Sequence, residues 1–175
     1  MTEKSTAINP IKKHSYNVCP KWVVESLFLV HFGASEYMPE NFGKIANSGW
    51  VKPKGGLWTS PVGSEYGWEE WCRSENFRPE SLAKSFLLRM KADSKILIID
   101  TLEDLVKLPI IEKGEGFYGR MYLDFEIISN KFDAIWLTVN GQWETRLSRP
   151  MNLYGWYCET VLIMNKESVY QIEKT

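Results

Sequence analysis

The chain contains few of the residues that form disulfides or bind metal ions. It has three cysteines and two histidines among 175 residues, and Cys19, Cys72 and Cys158 are too far apart to form a C-x-x-C pair. A structural zinc site needs several such ligands at close spacing, so the sequence predicts no metal. An odd number of scattered cysteines is more typical of a reducing compartment than of a disulfide scaffold.

The sequence also lacks a strong net charge and a long apolar run. Its formal net charge is −1, so any nucleic-acid binding would depend on a local basic patch. No apolar run approaches the roughly 18 residues of a membrane helix, and the N-terminus has no basic region followed by an apolar segment. We expect a soluble, cytoplasmic protein that binds no membrane, with an irregular leader at 1–20 and a single domain at 21–175.

Tryptophan, by contrast, is abundant, with eight in the chain. Trp58 lies in a stretch from residue 52 to residue 61 that holds two prolines, two consecutive glycines and two hydroxyl residues. This composition predicts a loop that enters and leaves a very short strand. Gly55 and Gly56 would let a ligand approach the backbone, and Trp58 would offer it a flat apolar face. A surface hairpin with an ordinary core tryptophan fits the same pattern.

The remaining patterns predict an α+β fold, because apolar runs typical of strands alternate with amphipathic helical segments. We expect a helical turn and then a strand within 22–33, further strands at 86–90, 95–100, 132–138 and 158–165, and helices from residue 68, from residue 101 and at 124–130. Asp100 or Thr101 would cap the second of these helices. We also expect a loop at 107–122, which contains Gly114, Gly116 and Gly119, and a turn at Asn140-Gly141.

Two ionisable residues stand at the ends of predicted strands. His31 precedes Phe32-Gly33 at the end of one strand, where it is either a buried histidine with one satisfied nitrogen or a ligand contact. Glu159 opens an apolar strand and has no Lys or Arg beside it in sequence. Burying a lone carboxylate requires a partner, so Glu159 is either a solvated strand end or a functional acid.

Taken together, the segments 29–33, 56–60 and 159–165 resemble the ADP-ribosyltransferases, in the order that this family has. In the branch with the diphtheria-toxin-like enzymes and the poly(ADP-ribose) polymerases, one strand ends in His-Gly, a Gly-rich strand carries an aromatic residue, and a late strand carries the catalytic Glu. Here Phe32 separates His31 from Gly33, and Trp58 stands where that branch usually has Tyr. The chain is most similar in kind to small bacterial or phage-type mono-ADP-ribosyltransferases.

The resemblance implies that NAD is the substrate and that Glu159 is catalytic. Breaking the bond between nicotinamide and ribose passes through an oxocarbenium-like state, which a nearby carboxylate stabilises. By similarity, His31 would donate to the adenosine ribose and Trp58 would stack on nicotinamide. Thr59 and Ser60 would supply hydroxyl contacts, and the backbone of Gly33 would bind the nicotinamide amide. The fold implied is a split β-sheet core, two small sheets across an NAD cleft with helices outside.

The acceptor of ADP-ribose is predicted to be RNA or DNA rather than protein. Arginine-modifying members of the family have a Gln or Glu two residues before the catalytic Glu, and this chain has Tyr157 there, which suits a stacked base. Arg146 is the second predicted acceptor-binding residue. Cations and rings are interleaved in the neighbouring loops, namely Lys52, Lys54, Arg146 and Arg149 with Trp50, Trp143 and Tyr154.

Other functions are compatible with the same residues. The aromatic cleft could bind a nucleotide or a partner without catalysis, or the protein could be an NAD glycohydrolase with water as the acceptor. A transferase of this kind would act as a toxin or defence effector, and its partner would then be a neutralising antitoxin.

Overall fold

The computed structural model of the protein describes residues 15–113 and 120–173. Residues 1–14 of the leader, and Gly114, Gly116 and Gly119 of the predicted loop, lie outside the described residues. The described α-helices are α1 (Lys21–Ser26), α2 (Trp68–Ser74), α3 (Leu102–Val106), α4 (Phe125–Ser129) and α5 (Val139–Thr145). The described strands are β1 (Phe28–Phe32), β2 (Leu57–Pro61), β3 (Ser85–Met90), β4 (Ile96–Ile99), β5 (Ile110–Lys113), β6 (Arg120–Leu123), β7 (Ala134–Leu137), β8 (Thr160–Ile163) and β9 (Val169–Ile172).

The described strands form a seven-stranded sheet in the order β4-β7-β8-β2-β1-β3-β9, beside a separate hairpin of β5 and β6. Only β4 and β7 pair in parallel, and every other neighbouring pair in the described sheet is antiparallel. Together with the short helices, this confirms the α+β class predicted from the sequence.

Both faces of the central strands are buried, which explains why their sequences are continuous apolar runs. Alternate residues of β4 enter different core clusters: Leu97 and Ile99 pack in one, and Ile96 packs in the other. Leu162 and Ile163 of β8 divide in the same way. Since successive side chains of a strand point to opposite faces, an unbroken apolar run fills a core on each side of the sheet.

Strand β2 changes its hydrogen-bonding partner along its length. Residues 57–59 pair with β8, whereas residues 60–61 pair with β1. Beyond Val30, residues 31–32 of β1 continue beside Phe86 and Ser85 of β3. The sheet therefore opens between the end of β1 and the first half of β2.

Most of the predicted elements are present in the structure. The helical turn before β1, the strands β1 to β4, β7 and β8, and the helices α2, α3 and α4 lie where the sequence predicts them. Thr101 caps α3 in a capping box: its side chain accepts from the backbone N–H of Asp104, and the Asp104 carboxylate accepts from the N–H of Thr101.

The predicted turn at Asn140-Gly141 is wrong, because both residues lie inside α5. Thr138 caps this helix by accepting from the Gly141 N–H. A Cβ on residue 141 would lie 2.0 Å from the carbonyl oxygen of Ile99, so glycine is needed for close packing of the helix on β4. The pair is typical of a turn in sequence, but this tertiary contact determines its structure.

One further prediction is corrected, and one further strand was not predicted. The predicted loop at 107–122 contains β5 and β6, whose paired residues run from Ile110 opposite Leu123 to Lys113 opposite Arg120. The polar segment after residue 165 forms β9, which pairs with β3. In β9 only Val169 is buried, so the segment has the polar composition of a strand at the edge of a sheet.

The described end of the leader packs against the sheet. The Cys19 N–H donates to the carbonyl of Ile96, and the Ile98 N–H donates to the carbonyl of Asn17. Cys19 is buried beside them. Residues 17–19 thus run along the outer edge of β4. Within the described ranges no helix is long and apolar enough to cross a membrane.

Replacing Gly141 with alanine tests the close contact between α5 and β4. Helix propensity alone predicts that alanine stabilises a helix interior by about 1 kcal/mol relative to glycine. The overlap with the Ile99 carbonyl acts in the opposite direction, and overpacking of this kind lowers stability by about 1–3 kcal/mol. We expect G141A to lower the free energy of unfolding measured with urea. Unchanged or increased stability would contradict this packing.

Candidate functional site

Three strands that carry the predicted site residues are neighbours in the sheet. His31 lies on β1, Trp58 on β2, and Glu159 immediately before β8, and the sheet places β8, β2 and β1 side by side. Nδ1 of His31 lies 2.8 Å from the Trp58 carbonyl oxygen. The Ser60 hydroxyl donates to the Glu159 carbonyl at 3.2 Å. Segments that are distant in sequence therefore converge on one place.

A cavity of about 260 Å³ lies where β1 and β2 separate. Of the residues predicted for NAD or the acceptor, its walls include His31, Trp58, Thr59, Ser60 and Tyr157. They also include Lys52, which was predicted only as a cation of the neighbouring loops, and residues that were not predicted for the site, among them Trp68, Trp156 and Cys158. Glu159 and Gly33 are not among the wall residues, and Arg146 lines a neighbouring groove.

Glu159 is buried beside the cavity and not on its wall. The residue is 8% exposed, although Cys158 and Thr160 on either side of it line the cavity. Its Oε2 accepts from the Ser64 hydroxyl at 2.5 Å, and its Oε1 accepts from the indole N–H of Trp136 at 2.8 Å. Two neutral donors thus hold the carboxylate. They are the partners that a buried acid requires.

The geometry of His31 determines what it can offer a ligand. A carbonyl oxygen only accepts, so the hydrogen bond to Trp58 requires the proton on Nδ1. Burial lowers the pKa of His31, an effect that the same hydrogen bond partly offsets. In the neutral ring, Nε2 is then an acceptor. A ribose hydroxyl would therefore donate to His31, whereas the resemblance implies the opposite direction.

The other predicted NAD contacts already have partners within the fold. Thr59 donates its hydroxyl to the Val161 carbonyl at 2.7 Å, and the Ser60 hydroxyl also accepts from the Trp68 N–H. The Gly33 N–H donates to a backbone carbonyl at 2.8 Å. Gly33 has a φ of +104°, a backbone conformation that favours glycine. A Cβ at this position would have open space around it, so the conformation and not the space requires glycine there. The hydrogen bonds of Thr59, Ser60 and Gly33 therefore hold the backbone around the cavity.

Lys52 occupies the ring faces that a ligand would need. Its ammonium nitrogen lies 4.5 Å from the ring centroid of Tyr157 and 5.1 Å from that of Trp58. Tyr157 also stacks on Trp71 at 4.8 Å, so its ring is engaged by a second neighbour. Burial lowers the pKa of Lys52. Burial also raises the pKa of the neighbouring Cys158 thiol to about 11.

Local sequence patterns carry no signal for the partners of Glu159, because Ser64 and Trp136 are distant from it in the chain. Lys52 was predicted as a cation of the neighbouring loops, but its position over the rings of Trp58 and Tyr157 was not predicted. No group of three or more His, Cys, Asp or Glu side chains in the described part of the chain is arranged to hold a metal ion.

The pKa of His31 can be measured by NMR, because the chain's only other histidine is His14. We expect His31 to titrate below 6.5 with the proton on Nδ1, since its surroundings disfavour the charged ring. A H14Q variant assigns the two signals. Titration of His31 at or above 6.5 would contradict this description.

The same lowered pKa predicts a pH dependence of stability. Below about pH 6.5 the unfolded chain binds a proton at residue 31 more readily than the folded chain. The contribution of His31 to the free energy of unfolding is therefore fully present above that pH and is lost as the pH falls. H31Q retains a donor for the Trp58 carbonyl but does not titrate, so its unfolding free energy should fall less than that of the wild type on acidification. Parallel pH profiles would argue against a lowered pKa.

Comparison with known proteins gives no match: no protein-family model, curated protein or solved structure matches this chain. The basis for a function is therefore the chemistry of the residues around the cavity.

Proposed function

We propose that the protein is an ADP-ribosyltransferase that cleaves NAD between nicotinamide and ribose and passes ADP-ribose to a macromolecule. One observation supports this most: the three segments that resemble the family's motifs meet on adjacent strands, around an aromatic cavity with a buried carboxylate beside it. Such an activity fits a toxin or defence effector controlled by a neutralising partner.

The size of the cavity indicates which part of NAD it would hold. At about 260 Å³ it is smaller than the roughly 300–1,000 Å³ of pockets that enclose a whole ligand. A nicotinamide ring would enter it and stack on Trp58, while the ribose and diphosphate would lie outside. The Lys52 ammonium would leave the ring face as the positively charged nicotinamide arrives, since like charges repel. A cation–π contact contributes only about 0.5–2 kcal/mol, which binding of a larger ring can offset.

In the proposed reaction, the bond between C1′ of the ribose and the ring nitrogen breaks, and its electron pair leaves with neutral nicotinamide. The positive charge that develops on the ribose would be stabilised by Glu159. Trp136 would hold one carboxylate oxygen, and a ribose hydroxyl would take the place of Ser64 on the other. An acceptor nucleophile would then attack C1′ and lose its proton.

A second candidate is a binding domain that has the same cavity but no catalysis. Specific observations favour it: Glu159 is absent from the cavity wall, and both of its carboxylate oxygens accept hydrogen bonds within the protein. In this case the cavity would bind a nucleotide or an aromatic ring and leave it unchanged. An NAD glycohydrolase would differ from the transferase only in using water as the acceptor.

Replacing Glu159 with glutamine separates these functions. Glutamine has the shape of glutamate and can bond to both Trp136 and Ser64, so the fold and NAD binding should be retained. We expect nicotinamide release to fall about 100-fold or more, because the lost charge acts mainly in the transition state. The matched control is E65Q, which changes an exposed glutamate next to Ser64 in sequence and should release nicotinamide at the wild-type rate.

Three outcomes of this assay would change the proposal. Near wild-type turnover by E159Q would show that Glu159 is not catalytic. Wild-type protein that binds NAD but releases no nicotinamide would be a binding domain. With labelled NAD, release of nicotinamide without transfer of label to any macromolecule would identify a glycohydrolase.

A further inference from the structure

A second concave surface, which we call the basic groove, lies beside the cavity and has a volume of about 850 Å³. It is formed by residues 50–52, by Met121 and Tyr122 of β6, and by residues within the segment 146–157 after α5. Lys52 and Tyr157 line both the groove and the cavity. A molecule lying in the groove would therefore reach the cavity.

We propose that the basic groove binds single-stranded nucleic acid and presents one base at the mouth of the cavity. Binding of nucleic acid in the groove does not depend on the proposed function. The role of the presented base as the acceptor of ADP-ribose does rest on it.

The charge of the groove favours a polyanion. Its cations are Lys52, Arg146 and Arg149, and no aspartate or glutamate is among its described wall residues. None of the ion pairs within the described ranges involves these three cations. The chain carries a net charge of −1, so this concentration of positive charge is local. A guanidinium binds phosphate through several N–H groups at once, which suits the backbone of a nucleic acid.

The exposed rings of the groove favour unpaired bases over other anions. Trp50 is 66% exposed and Tyr154 is 54% exposed, although large apolar rings are usually more buried. The guanidinium of Arg146 lies 5.7 Å from the ring centroid of Tyr154. Exposed rings beside guanidinium groups form the surface on which single-stranded bases stack. An acidic peptide would satisfy the charges but would leave these rings without planar partners.

The structure corrects the set of residues that the sequence predicted for nucleic-acid binding. Trp143, one of the rings predicted for nucleic-acid binding, is outside the groove and stacks on Tyr66 with centroids 5.8 Å apart. Lys54 is not among the groove residues. Tyr157, predicted to stack on a base, already contacts Trp71 and Lys52. Among the described rings of the groove, the most exposed are therefore Trp50 and Tyr154.

The test measures binding of fluorescent single-stranded RNA and DNA oligonucleotides by anisotropy, without NAD. W50A and Y154A should each weaken binding about fivefold or more, because each removes a ring on which a base stacks. R146Q and R149Q should weaken it too. Each should also make the slope of log affinity against log salt shallower, by about 0.7 for every phosphate that the variant no longer neutralises. Whichever oligonucleotide binds more tightly identifies the nucleic acid.

Two variants outside the groove serve as controls. W22A removes a tryptophan that is 72% exposed, and K91Q removes an exposed cation. Neither should change the affinity for either oligonucleotide, because Trp22 and Lys91 are not groove residues.

Three results would overturn the proposal: no binding of either single strand, equally weakened binding in the control variants, or wild-type affinity in all four groove variants. A parallel titration of the groove variants with NAD completes the test. Weakened NAD binding together with unchanged oligonucleotide binding would assign the groove to the ADP half of NAD. Because the oligonucleotide assay contains no NAD, its failure is distinguishable from an absence of NAD cleavage.

Discussion

The cavity depends on the hydrogen bond between the His31 side chain and the Trp58 carbonyl. In a continuous sheet, the backbone of β1 would pair along all of β2 and fill this space. Here the β1–β2 pairing ends at Val30 and Ser60, and the imidazole supplies the donor for the Trp58 carbonyl. An unpaired carbonyl at this depth would be unfavourable by about 1–3 kcal/mol. The side chain therefore allows the sheet to open without leaving a polar group unsatisfied, and the bond requires the Nδ1–H form of His31.

Around this opening, the protein's own groups occupy the positions that a ligand would need. The hydroxyls of Thr59 and Ser60 hold strands together, and the Glu159 carboxylate is held by Ser64 and Trp136. Lys52 covers the rings of Trp58 and Tyr157. Of these groups, Lys52 is the one that a ligand can displace with the least change in the fold, because it is a flexible side chain bound by ring contacts. Because Lys52 also lines the basic groove, its proposed displacement from the cavity would change the groove as well.

The sequence predicts those parts of the fold that depend on local patterns. The apolar runs of β4, β7 and β8 and the capped start of α3 follow from neighbouring residues, although the sequence left the cap open between Asp100 and Thr101. The turn predicted at Asn140-Gly141 fails because the contact of Gly141 with Ile99 is not visible in the local pattern. The identities of several cavity residues were predictable from their motifs. The partners of Glu159 were not, since Ser64 and Trp136 reach it through long-range packing. Lys52 was expected in a neighbouring loop, but its contacts with the rings of Trp58 and Tyr157 were not predictable from that pattern.

If the protein acts on NAD, the cavity at the opening of the sheet holds the nicotinamide ring. A crystal structure with a carbocyclic NAD analogue, whose bond to nicotinamide cannot be hydrolysed, would locate that ring. We predict the ring stacked on Trp58, the Lys52 ammonium moved away from the rings of Trp58 and Tyr157, and a ribose hydroxyl within hydrogen-bonding distance of Glu159. An analogue bound outside the cavity, with Lys52 still over both rings, would contradict the proposed role of the cavity.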